Sequence, residues 1–379
     1  MTGQPKSSDA IVVGAGIIGC TLAYALQKRG VQTLLLEQGQ VGREASWASA
    51  GIIGAPTAAG LPPHRAELAD RSQKRYAALL QAVREDSGME TSYLHIGKLL
   101  VAYTEDQVER AQAEVNWQTN HGFEATWLDP HEVHEIEPVI PEGILGAYYT
   151  GDGGAVTLYR FTDAVAAAFR SRGGEIREYT PAVNVLTDGD RVSGVETPDG
   201  PCHAGVVILS AGAWTRFLGP SLGRDFPLGA VKGQMISVSP PPGSPGPRHV
   251  VGSIDGGYLV PRIDGTVAIG ATREDAGFDK RVTAQAFDHA LNLMRTLGPT
   301  LLNASFVTAW AGLRPGTSDE APIMGEVPGV RGLWLSTGHY RTGAQLAPGS
   351  AELVADAICT GESDPLLESF SLTRFTPYS

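Results

Sequence analysis

Basic side chains are scarce in this chain. Lys and Arg number 29 against 41 Asp and Glu, giving a formal net charge of −12. No long basic stretch interrupts that acidic balance, which excludes nucleic acid as the main partner. Cysteine is scarcer still: Cys20, Cys202 and Cys359 lie far apart and form no CxxC pair. That spacing excludes a disulfide framework, gives no metal site, and suits structural thiols in a reducing cytoplasm. Apolar runs are short, and none approaches the roughly 20 residues of a membrane span. The polar N-terminal stretch 1–9 lacks the apolar core and small-residue cleavage site of a secretory signal. Internal repeats and low-complexity tails are absent as well.

What remains is the profile of a globular enzyme. Hydrophobic residues make up 42% and charged residues 18%, and 379 residues suffice for a large domain or two that share a core. Glycine is abundant at 47 residues, so turns and close backbone approaches are expected. The pattern at the start reads strand (10–13), helix (through Leu22, Ala23 and Leu26 to Gly30), strand (31–36), the unit of a parallel sheet. Helices follow at 65–85, 105–120 and 159–172, and a closing helix at 343–359. Further strands fall at 99–103, 182–186, 192–197, 205–209, 231–238, 258–262 and 266–271. The segment 240–247 is a proline- and glycine-rich loop, too short to link domains.

Between the first strand and helix stands Gly14-Ala15-Gly16-Ile17-Ile18-Gly19. Gly14 permits the tight turn, Gly16 lets backbone approach a pyrophosphate, and Gly19 lets helix and strand pack closely. The helix N-terminus offers N–H groups and partial positive charge to the phosphates. Glu37 closes the second strand, where a carboxylate can accept from ribose hydroxyls. This motif alone does not separate NAD from FAD. About 190 residues later, the apolar strand 206–209 ends in Ser210-Ala211-Gly212, and such small residues let the chain run close beneath a bound nucleotide.

The order of these pieces resembles the D-amino acid oxidase superfamily, and within it the bacterial glycine oxidases. The specific stretches are Val231-Lys232-Gly233, Tyr258-Leu259-Val260-Pro261-Arg262, Gly270-Ala271-Thr272, the block Trp310-Ala311-Gly312-Leu313-Arg314-Pro315-Gly316-Thr317, and Gly338-His339-Tyr340-Arg341-Thr342-Gly343 with Leu346-Ala347-Pro348 after it. The resemblance implies an α/β fold (α+β overall): a doubly wound, Rossmann-like FAD-binding domain from 1–91, 147–221 and 309–379, and a substrate domain on an antiparallel sheet from 92–146 and 222–308. It places the ADP half of FAD at Gly14, Gly16, Ile17, Ile18, Gly19, Glu37 and Gln38. Ala45, Ser46, Ala50, Gly51 and Ile52 would run past the pyrophosphate and ring, with Ala182 at the adenine and Gly212 close by. His339, Tyr340, Arg341, Thr342, Gly343, Ala344 and Gln345 would line the pyrimidine end of the ring. A helix N-terminus there stabilises negative charge on reduced flavin.

For the substrate, the resemblance assigns Arg314 and Tyr258 to the carboxylate, with Arg341 and Ile52 nearby. A guanidinium is a two-pronged donor matched to a carboxylate. The residues around Arg314 suggest a constrained turn, and no residue is assigned as acid or base. The implied reaction is oxidative deamination of glycine or another small amino acid (sarcosine, a D-amino acid) by hydride transfer to flavin. Its imine hydrolyses to a keto acid and ammonia, and O2 gives hydrogen peroxide. No cysteine lies between Cys202 and Cys359, so FAD is expected to be non-covalent. The resemblance further implies a homotetramer and a role in thiamine biosynthesis. The family pattern is broken at Ser253-Ile254-Asp255-Gly256-Gly257, which lacks aromatic and histidine residues, and at Arg273 and Ile52, which stand where relatives have methionine. Those changes leave room for a larger or more acidic substrate. Three alternatives stay open: an N-methyl amino acid oxidase or D-amino acid dehydrogenase, a nicotinamide-dependent dehydrogenase, and a non-catalytic flavin-binding subunit.

Overall fold

A computed structural model describes residues 8–54, 59–244 and 246–375; the stretch 1–7, read above as a polar N-terminus, lies outside them. A six-stranded sheet runs in the order Ile323–Glu326, Leu333–Thr337, Val206–Leu209, Ala10–Val13, Thr33–Leu36, Glu175–Arg177. All neighbours are parallel except the first pair. The expected strand–helix–strand unit therefore stands at its centre, with Ala10 in register with both Val206 and Thr33.

The central strands are buried on both faces, which is why they read as unbroken apolar runs rather than alternating ones. Ala10, Val12, Leu35 and Ile208 point into a core shared with the helices Ile17–Lys28, Pro63–Ser87, Leu158–Ser171 and Gly343–Thr360. Ile11, Val13, Leu34, Leu36, Val207 and Leu209 point into a second core. There the expectation of helices on both faces fails. The second face is covered by a three-stranded antiparallel sheet of Asn184–Asp188, Arg191–Thr197 and Gly200–His203, through Val185, Val192 and Val195. Turns at Gly189 (φ 59) and Gly200 (φ 111) fold that segment back on itself, leaving no length for a crossover helix.

The second large sheet has eight strands in the order Ser305–Gly316, Gly229–Ser239, Val267–Gly270, Tyr258–Pro261, Val250–Ser253, Lys98–Ala102, Gly146–Thr150, Ala125–Leu128. It is antiparallel apart from the pairing of Val250–Ser253 with Lys98–Ala102. Its own apolar core includes Leu259, Ile269 and Leu297. The helix Ala284–Leu297 on this sheet is absent from the sequence reading. We propose that the two sheets mark two domains, the eight-stranded one also taking in Gly146–Thr150 and Ser305–Gly316, which the expected division gives mostly to the FAD-binding segments 147–221 and 309–379. Among the described residues no helix is long and apolar enough to cross a membrane.

The closing helix contains Pro348, which cannot donate to the carbonyl four residues back. That carbonyl, on Ala344, instead accepts from the buried Tyr76 hydroxyl of Pro63–Ser87. One turn on, Ser72 Oγ donates to Gln345 O at 2.7 Å and accepts from Gly349 N at 3.1 Å. Gly349 is needed there, because a Cβ would stand 3.0 Å from that of Ser72. The start of the closing helix is thus held by a neighbouring helix rather than by its own ladder. Tyr76→Phe should leave secondary structure intact but lower stability by about 1–3 kcal/mol, the cost of a buried carbonyl without a donor. Urea denaturation followed by circular dichroism measures it.

Candidate active site

One cavity of about 1250 Å³ runs from the glycine motif to the eight-stranded sheet. Its first end is built by backbone. Gly14 sits at φ 101, where a side chain would be strained, and a Cβ there would lie 2.7 Å from Ser210 O and Ala211 Cα. The small residues ending strand Val206–Leu209 thus press on the turn itself. Gly19 does not line the cavity: a Cβ at that position would meet Gly14 O at 1.9 Å, so its role is the close helix–strand packing expected of it.

Glu37 faces the same turn. Its carboxylate accepts from Ala15 N at 2.7 Å and Gly39 N at 2.9 Å. Burial raises its pKa, and those backbone donors oppose the rise. Ser46 supplies a detail the motif hides. Its hydroxyl accepts from Ile17 N at 2.9 Å, occupying the first amide of the helix that was expected to be free. The serine proton then becomes the group offered toward the cavity. Gly51, at φ 76, passes so near Val156 O that a Cβ would stand 1.8 Å away. Gly16, Ile17, Ile18, Gln38, Ala45, Ala50, Ile52, Ala182 and Gly212 complete this wall. A trough of glycines with amides, a buried carboxylate and an unpartnered Ser210 hydroxyl fits the expected FAD.

The segment His339 to Gln345 lines the middle of the cavity. His339 is buried; its Nε2 lies 3.0 Å from Ser350 Oγ and its Nδ1 has no partner. Burial lowers its pKa to about 3, so the ring is neutral at working pH and does not act as an acid. Gln345 Nε2 donates to Gly54 O at 2.9 Å, tying the helix start to the opposite wall.

At the far end Arg314 and Tyr258 come together. Arg314 does not sit in a turn: it lies within the strand Ser305–Gly316, opposite Val231. The proline and glycine that suggested a turn stand at the strand end, where neither ladder donor nor side chain is required. Arg314 Nη1 donates to Thr272 O at 3.0 Å and Lys232 O at 3.4 Å. A Cβ on Gly233 would stand 2.3 Å from both Nη atoms, so the guanidinium lies on a bare strand. Beneath it, Glu274 accepts from Gln234 Nε2 at 2.7 Å and from Thr272 Oγ1, and faces the buried Lys232 at 3.8 Å. Burial raises the Tyr258 pKa while the nearby Arg314 guanidinium opposes it, which keeps the phenol a neutral donor. Arg341 and Ile52 also line the cavity. Gly233, Glu274 and Lys232 escaped the sequence reading as parts of the site; the Val231-Lys232-Gly233 stretch was its only signal.

Two measurements probe this arrangement. Gly233→Ala should keep the fold, shift Arg314, and weaken carboxylate binding about tenfold or more, since a bidentate pair depends on orientation; calorimetry with acetate reads it. His339 has a folded pKa below its unfolded value of 6.5, so its contribution to stability is complete above pH 6.5 and is lost as pH falls toward about 3. His339→Gln should therefore lose less Tm than the parent between pH 7 and pH 4.5.

The sequence profile of the family described as FAD dependent oxidoreductase matches residues 9–357. A glycine oxidase of Pseudomonas aeruginosa is 37% identical over 351 residues, covering 92% of this chain and 94% of that one. A bifunctional ThiO/ThiG protein of Trichormus variabilis is 33% identical over 97% of this chain, which spans 55% of its length. The crystal structure of glycine oxidase from Geobacillus kaustophilus superposes with a TM-score of 0.91 at 32% identity, covering 98% of this chain and 100% of that one. With a dinucleotide trough, a guanidinium at its far end and these relatives, the chain belongs to the FAD-dependent oxidoreductase family, as an FAD-dependent amino acid oxidase similar to the glycine oxidases.

Proposed function

We propose that the chain oxidises the Cα–N bond of a small amino acid of the glycine and sarcosine class. The observation that carries this reading is the seat of Arg314. Its guanidinium lies beside Tyr258 at the end of the cofactor cavity, is held through Nη1 by two backbone carbonyls, and forms no ion pair with a described carboxylate. A cation so placed is short of an anion, and a substrate carboxylate supplies one.

In this reading Arg314 donates to the carboxylate from its remaining edge, Tyr258 adds one donor, and the fixed geometry provides much of the rate through orientation. Gly14, Gly16, Ile17, Ile18, Glu37, Ser46, Gly51 and the segment His339 to Gln345 would hold FAD, which when bound would supply a ring able to take a hydride from the substrate carbon. The amine enters neutral, so no side chain has to take its proton, in keeping with a neutral, buried His339. The imine meets water and yields a keto acid and ammonia, and dioxygen leaves with the two electrons as hydrogen peroxide. The three cysteines are free, and none lines the cavity, which supports a dissociable cofactor and a reducing cytoplasm.

Assembly into a homo-oligomer belongs to the same proposal. Phe287 and Phe306 are exposed with their rings 5.6 Å apart, Phe306 standing on the edge strand Ser305–Gly316 next to the exposed Val307, and such exposed apolar edges favour self-association. Similar chains carrying a second unit in bifunctional ThiO/ThiG proteins suit an imine handed onward, as thiamine biosynthesis would require.

The test is anaerobic mixing of the yellow protein with glycine, sarcosine, D-alanine and D-proline, followed by peroxide measurement in air. Flavin bleaching with peroxide in air is expected; bleaching without peroxide would make the chain a dehydrogenase. Arg314→Leu should bind FAD normally and lose about 100-fold or more in kcat/KM, the worth of a charge-assisted pair in the transition state. An unchanged kcat/KM in that variant removes the reading.

A further inference from the structure

Tyr340 stands in the cavity wall, held at φ 49 with its backbone N–H on the carbonyl of Pro315, the residue after Arg314. Its side chain is 8% exposed, and its hydroxyl is buried without a hydrogen-bond partner. Two guanidinium groups rest against its ring: the Arg273 and Arg341 carbons each lie 5.5 Å from the centroid. Both arginines line the same cavity as Arg314. Apart from Arg43, which is paired with Asp163, three guanidinium groups thus line one cavity in a chain whose net charge is −12.

The carboxylates on that side offset them only in part, Glu274 acting on Arg314 and Glu320 pairing with Arg273. Glu274 is committed to Gln234, Thr272 and Lys232, and Asp255 to Arg110 and Gln107. Arg341 forms no ion pair among the described residues. Arg273 meets Glu320 through Nη2 alone at 2.9 Å, with the arginine exposed and the glutamate half-buried. Such an exposed pair contributes little and leaves the other guanidinium donors available. A cleft lined by one sign of charge concentrates ligands of the other sign. Space is present too: Gly256 and Gly257 line the cavity at φ 110 and 80, and a Cβ on Gly256 would meet nothing within 4 Å. Arg314 and Tyr258 suffice for one carboxylate, so the remaining cations call for another.

We propose that the preferred substrate is an amino acid with a second carboxylate, which Arg273 and Arg341 bind beside Tyr340 while Arg314 and Tyr258 hold the first. Arg273 is then a specificity residue. This rests on the amine-oxidation reading and narrows its substrate class.

The experiment uses the holoenzyme. Anaerobic flavin reduction is compared for glycine, sarcosine, iminodiacetate, D-aspartate and D-glutamate, and calorimetry compares succinate and glutarate with acetate. At least one dicarboxylic amino acid should exceed glycine in kcat/KM by about tenfold or more, and a dicarboxylate should bind tighter than acetate. In Arg273→Leu the dicarboxylic-to-glycine ratio should fall about 10- to 100-fold, the worth of a charge-assisted hydrogen bond. Arg273→Lys should recover part of it. Reduction by glycine or sarcosine with no preference for dicarboxylic substrates, or a ratio unmoved in Arg273→Leu, overturns this inference and leaves amine oxidation standing. No reduction by any amine overturns both.

Discussion

Main chain pressed against main chain is the constraint from which the rest of this molecule follows. Gly14 lies on Ser210 and Ala211, Gly51 on Val156, and Gly54 on Gly153, each at a distance that a single Cβ would violate. Interiors are packed so densely that a methyl group in such contacts has nowhere to go. Because the walls meet through backbone, one long cavity threads from the six-stranded sheet to the eight-stranded one without side chains blocking it. Twelve of the 47 glycines line this passage.

The same bareness prepares the charged end. Arg314 lies over Gly233 and gives Nη1 to two carbonyls, so its remaining edge is oriented before any ligand arrives. Orientation fixed in advance reduces what binding has to impose. Glu274 and Lys232 brace the strands whose carbonyls form that seat. Arg314 and Tyr258 are thus held on strands rather than loops, which suits a reaction that depends on where a carbon sits.

Helix termini are managed with similar economy of contact. Ser46 takes the Ile17 amide, and Tyr76 takes the Ala344 carbonyl that Pro348 orphans. Both are distant in sequence from their partners, and both sit where the cavity needs a helix end at a fixed height. His339, neutral through burial and tied to Ser350, adds shape without a titrating charge.

By itself the sequence determined the elements whose signal is local. The strand–helix–strand unit with Gly14, Gly16, Gly19 and Glu37, the helix Glu105–Asn120, and the closing helix all follow from periodicity and turn chemistry over short spans. Five ordered stretches, including those of Tyr258 and Arg314, carried the family. Only the tertiary structure decided that Arg314 lies within a strand, that Gly233 is the floor beneath it, and that a three-stranded sheet covers the second face. It alone set Arg273 and Arg341 against one tyrosine. The physical reason is range: propensity and spacing act over a few residues, whereas a seat for a guanidinium is made by segments some 40 to 80 positions apart, whose meeting only packing enforces.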